Sequence, residues 1–214
     1  MFRSSSTFSL IFIFFSLAPL SSVHGELVSM TVARSKDHIF TSREVHMQHL
    51  LEISLQGEKQ FETFSEDSKK FFGQVEKTLV EHLVSTEAAH FSSMRLLPEE
   101  KEKARNRLSP AVFQSAAWKK LAPTKEEWEE VFFRKVQANK FIQFRAQSSV
   151  IPISDSEARK YFDENRLKFG NLPFGQFQEN IKIYLRRSQV EQRLKDWYDV
   201  LRSKYKARNL LSEI

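Results

Sequence analysis

The chain has 214 residues, 33 Lys/Arg against 27 Asp/Glu, and no cysteine. That length suits one well-packed core better than two. The missing thiols exclude a disulfide scaffold, a lipid-modified cysteine anchor and a cysteine nucleophile. With only 5 Gly and 6 Pro, long helices are the expected way to pack it.

Residues 1–25 carry an early Arg3, an apolar run from Leu10 to Phe15, weaker apolar residues to Leu20, then small residues. Val23 and Gly25 sit three and one before a cut after Gly25, the pattern of a secretory signal peptide. Ser and Pro interrupt the apolar part too soon for a span, which needs about 20 apolar residues. The expected mature domain is 26–214, and no later segment reads as a membrane span.

ELVSMTVARSKDHIF (26–40) reads as a hairpin of 27–34 with 38–40 around the turn residues Ser35–Asp37. Thr41 with Glu44 three positions on is a capping-box signature, predicting a helix from Ser42 to Leu55, before Gly57. In the next helix Phe72, Val75, Leu79 and Leu83 form one stripe, with Phe71, Val80 and Val84 beside it. Pro98 opens a third helix, which Pro110 interrupts, and a shorter piece continues to Leu121.

Thr124 and Glu127 make a second capping box. The helix they open carries Trp128, Val131, Phe132, Lys135, Asn139 and Ile142 on one face, with Phe133, Val136, Phe141 and Phe144 alongside. So wide an apolar surface is normally wedged among several neighbours. Ser154 and Glu157 make a third capping box and predict a helix from Asp155 to about Lys168. The last helix is expected from Pro173 to about Tyr205. Its seam reads Phe177, Ile181, Tyr184, Ser188, Glu191, Leu194, Tyr198, Leu201, Tyr205, with a polar gap at Ser188 and Glu191. Residues 207–211 are expected to return as a strand beside the hairpin. The fold class is all-α: an irregular multi-helix core, a long C-terminal helix, and a small β-hairpin joined by a C-terminal strand.

The positive charge is local. Residues 26–181 hold 23 basic and 23 acidic residues, whereas 182–208 hold 9 basic and 3 acidic. A basic helix face is most often simply solvated. An export signal removes nucleic acid as a partner, leaving an anionic membrane surface or acidic clients for the 182–208 helix.

VARSKDHIFTSREV (32–45) after a signal peptide resembles the start of SurA-type periplasmic chaperones. So does the P-I-S-D-x-E-x-x-x-Y-F-x-E-N-x-x-x-F stretch from Pro152 to Phe169. A terminal helix opening with Pro173–Phe174 and carrying Trp197 through Arg202 as W-x-x-x-L-R completes the resemblance. In that family a parvulin prolyl isomerase domain is commonly inserted before the terminal helix. Here only Gly170, Asn171 and Leu172 separate Phe169 from Pro173, too few for a domain of about 100 residues. The resemblance therefore implies the peptide-binding chaperone core alone: not an enzyme, without cofactor, periplasmic, and holding unfolded clients of the outer-membrane class.

No catalytic constellation stands out in the residues themselves. His46, His49 and Glu52 recur at steps of three, but the H-E-x-x-H zinc signature is absent. Glu81–His82 and Glu87–His90 are no stronger, so neither a metal site nor a catalytic residue is assigned. Neighbouring aromatic pairs cannot both face one core, and Phe71, Phe133 and Phe144 are the expected client-facing positions. A dedicated interaction subunit for one folded partner and an uncharacterised hydrolase stay open as alternatives.

Overall fold

The computed structural model describes residues 29–148 and 151–212. The signal expected at 1–25, and the first two residues of the expected hairpin, lie outside them. Strands β1 (Thr31–Arg34) and β2 (Ile39–Thr41) form the hairpin, and β3 (Arg208–Asn209) pairs antiparallel with β1, giving the order β2-β1-β3. The register slips between Thr31 and Ala33, a bulge that accompanies two successive buried residues, Val32 and Ala33.

Helix α1 (Ser42–Leu55) begins where Thr41 accepts from the Glu44 amide. Only half of the expected capping box forms, because the Glu44 carboxylate turns to His38 and Arg134. The helix closes in a Schellman turn: the Glu58 amide donates to the Ile53 carbonyl and that of Gly57 to Ser54, with Gly57 at φ 78°. Helix α2 (Lys69–Ala88) follows a long connection. The third expected helix is broken into α3 (Pro98–Arg105), α4 (Ala111–Gln114) and α5 (Ala116–Leu121). Ser115 makes the last break by capping α5 through the Trp118 amide.

Helix α6 (Lys125–Ser148) opens with both arms of the Thr124–Glu127 capping box in place. Arg43 clamps three elements here, donating to the carbonyls of Leu121 and Ala122 and pairing with both Glu127 oxygens. Helix α7 (Asp155–Glu164) also shows its full box, but Asn165 ends it early and α8 (Arg166–Phe169) is a separate turn. A 3₁₀ turn, Phe174–Gln176, takes the place of the expected first turn after Pro173, and α9 runs Gln178–Lys204. Its end is a second Schellman turn, Ala207 to Arg202 and Lys206 to Ser203, which swings the chain into β3.

Four apolar clusters result. The sheet packs with Val45, Phe71, Val75 and Leu79. Helices α1 and α3–α5 close on the first half of α6 around Phe132 and Trp118. The second half of α6 meets α2 and the last turns of α9 around Leu83, Phe141 and Leu201. Helices α7 and α8 pack on the first turns of α9 around Phe162, Phe169 and Ile181. The first three share helices and form one body, to which the fourth is joined through α9.

Candidate functional site

Ile181 is buried against α7 and Leu201 against α2 and α6. Twenty positions at 3.6 residues per turn place them about 200° apart round the helix. Helix α9 thus offers nearly opposite faces to its two ends, and the single seam read from the sequence is two seams. Between them Tyr184, Ser188 and Glu191 are exposed. The face that carries Trp197 and Leu201 continues toward the N-terminus as Leu194, Val190 and Ile183, and among the described residues α6, described to Ser148, does not cover its Ile183 end. Ile183 is 59% exposed.

A cleft of about 480 Å³ opens where this face passes the end of α6, lined by Ala146, Gln147, Ile183, Arg186, Arg187, Val190 and Glu191. On the other side of the same helix segment, a second cleft of about 400 Å³ lies against α7 and presents Lys160, Tyr161, Gln189 and Gln192. The Gln189 side-chain oxygen is buried there without a hydrogen-bond partner among the described residues. Close to the first cleft, Phe141 meets Phe91, Phe144 and Trp197 at ring-centre distances of 5.3, 6.2 and 5.5 Å. The Arg145 guanidinium lies over Trp197 at 4.6 Å. Apolar walls, aromatic edges and side-chain donors suit an extended polypeptide better than a small polar substrate.

The three expected client-facing residues do not come together. Phe71 is fully buried in the sheet cluster, 5.0 Å from the His46 ring, so it faces no client. It is Phe72, placed on the core stripe by its spacing, that stands 38% exposed. Both phases keep Val75 and Leu79 at helical spacing, and the sheet beneath α2 decides between them. Phe133 is half-buried beside the Trp118–Phe132 cluster, under Lys101 and Arg105 at 5.1 and 5.5 Å. Phe144 is 49% exposed at the end of α6, about 16 Å along the helix from Phe133.

The α1 histidines turn to separate partners. His46 Nε2 lies 3.5 Å from Glu66, His49 stacks on Phe64, and Glu52 pairs with Lys77 and Lys135. Among the described residues no group of three His, Asp or Glu side chains is placed to hold a metal ion.

Two buried polar networks tie the main body together. In one, Lys135, only 5% exposed, pairs with Glu81 at 2.7 Å and Glu52 at 3.5 Å, while Gln48 donates to Glu81 at 2.5 Å. Burial pushes the Glu81 carboxyl up, against the pull of Lys135. In the other, Arg134 donates to Glu44 at 2.6 Å and to His82 Nδ1 at 3.0 Å, and His38 donates to Glu44 at 3.0 Å. Burial, with help from Arg134, lowers the His82 pKa to about 3.

Ser35 lies 3.5 Å from His82 Nε2, which invites comparison with a nucleophile–base pair. The guanidinium can only donate, so Nδ1 must accept and the neutral ring carries its proton on Nε2. That nitrogen donates to Ser35 and takes no proton from it. A catalytic histidine needs a carboxylate or carbonyl at this position, where the chain has an arginine. The cluster is built to hold the hairpin on α1, α2 and α6.

Sequence reasoning missed Ala146, Ile183, Arg186 and Val190. The signal was present, because Ile183, Val190, Leu194, Trp197 and Leu201 form a second apolar line at steps of seven, four, three and four. No family model, curated protein or solved structure matches this chain. Among the described residues no helix is long and apolar enough to cross a membrane.

Proposed function

We propose that this chain is an ATP-independent holdase that binds unfolded polypeptide segments along the middle of α9. The observation that carries the reading is the apolar face of α9, with Ile183 59% exposed, that no described residue covers beyond the last described turn of α6. A monomeric protein normally covers such a face, and one left bare between two packed ends marks an interaction surface. Contact there contributes roughly 25 cal/mol per Å² of apolar area, offset by the cost of ordering the client. Weak, promiscuous binding follows.

The resemblance of residues 32–45, 152–169 and 173–202 to SurA-type chaperones supports the same reading. It adds export through residues 1–25, a periplasmic site of action, and outer-membrane proteins as clients. Phe169 and Pro173 are joined by a short turn, in which Arg166 donates to the Leu172 carbonyl at 2.9 Å. On this reading the protein is a peptide-binding core with no isomerase domain at that junction.

The test is suppression of aggregation of several unrelated unfolded proteins, without nucleotide, with prolyl isomerase activity assayed on the same sample. Broad suppression without isomerase activity is the expected result. Failure to suppress any client would refute the holdase reading and favour a dedicated subunit for one folded partner.

A further inference from the structure

Arg186 lines the cleft at the end of α6 and has no ion pair or hydrogen bond within the described residues. Its neighbour Arg187 is held at 2.8 Å by Glu191 of the next turn, which is the acidic group lining this cleft. On the α6 side the wall is Ala146 and Gln147, next in the chain to Arg145, whose guanidinium lies over Trp197. Beyond the cleft, Glu179 and Asp155 are both engaged by Lys182, at 3.2 and 2.5 Å. Among the described residues the apolar strip of Ile183 and Val190 is therefore flanked by an unmatched positive charge.

An apolar strip with an unmatched cation beside it is complementary to a chain that alternates apolar and acidic residues. Each carboxylate seated there gains an attraction that a neutral or basic residue lacks. Resting on the holdase reading above, we propose that this cleft selects acidic–apolar segments of unfolded polypeptide, with Arg186 as the residue that sets the preference. A lipid surface is the less favoured occupant. Arg186 is exposed at the rim, but the apolar strip it flanks runs in a cleft between two helices, a shape that fits a single strand better than a flat bilayer.

The test uses short labelled unstructured peptides with one apolar pattern and Glu, Gln or Lys at the remaining positions. They are titrated by fluorescence anisotropy against protein purified from cells expressing the full chain. The Glu peptide is expected to bind about tenfold tighter than the Lys peptide at low salt, the sum of a few exposed charge pairs. The advantage should shrink toward physiological ionic strength. R186Q is expected to remove about threefold of it and R186E about ninefold, which nearly abolishes it, and K103Q, on α3, to leave it intact.

Equal binding of the three peptides by a protein that still suppresses aggregation would overturn the charge selection and spare the holdase reading. No peptide binding together with no suppression would overturn both. Tighter binding to phosphatidylglycerol vesicles than to the Glu peptide, lost in R186Q, would assign the cleft to a membrane and overturn the proposal.

Discussion

Replacing Lys135 by methionine keeps the stem that lies between α1 and α2 and removes the ammonium from the centre of the first polar network. Glu52 keeps its ion pair with Lys77, so the loss falls on Glu81, which is buried and retains only the Gln48 amide. Breaking one side of a buried pair typically costs 3–5 kcal/mol, and the surviving Gln48 bond points to the lower end, about 3 kcal/mol. In urea unfolding, with a slope of about 2 kcal/mol/M, the midpoint falls by about 1.5 M.

The cost also depends on pH. Burial already holds the Glu81 carboxyl above its ordinary range, and without Lys135 it rises further. A carboxyl raised in the folded state favours folding below its unfolded pKa and loses that contribution as pH rises through the folded one. The penalty of K135M is therefore smaller at pH 5 than at pH 8. Adding Glu81→Gln removes the stranded charge and recovers at least about half of the loss, since such pairs are often replaceable by neutral groups. A penalty below about 1 kcal/mol, or a double variant no better than the single one, would refute the reasoning.

Phe71→Ala empties the sheet cluster and costs about 3–5 kcal/mol in denaturant unfolding, with client binding per folded molecule unchanged. Phe144→Ser removes a half-exposed ring stacked on Phe141, costs about 1 kcal/mol, and weakens suppression of aggregation. Burial alone would push the Glu44 carboxyl up, but the His38 hydrogen bond and Arg134 outweigh it and hold it below the ordinary carboxylate range. Its contribution is thus present above the unfolded carboxylate pKa and lost as pH falls through the folded one. Glu44→Gln should lower stability at pH 7 and flatten the acid limb of a stability–pH curve. Ser154→Ala removes one arm of the α7 capping box and costs that helix about 1 kcal/mol. Hydrogen exchange should accelerate in 155–169 and stay unchanged in α2.

Local chemistry made much of the fold legible. The Thr124–Glu127 and Ser154–Glu157 boxes form where their spacing predicts, α1 has its expected bounds, and the last residues return to the hairpin as a strand. What was not legible depends on distant partners. Phe71 and Phe72 fit the helical period equally, and only the sheet packed on α2 selects Phe71 for the core. Lys135 fell on an apolar face in the sequence, yet its partner Glu81 lies 54 positions away. The half-formed box at Thr41 has the same cause, since Arg134 draws Glu44 off from a position 90 residues distant. The cleft beside α9 was hidden because one regular seam was traced through that helix, where the structure needs two on nearly opposite sides.

The central claim is that unfolded segments lie along the uncovered face of α9. Site-specific photo-crosslinking tests it most directly, with a photoreactive residue placed singly at Ile183, at Val190 or at Lys103, and each variant mixed with a denatured client. The account predicts crosslinks to the client from 183 and 190, and few from 103. Equal yields at all three positions, or crosslinks from 103 alone, would contradict it.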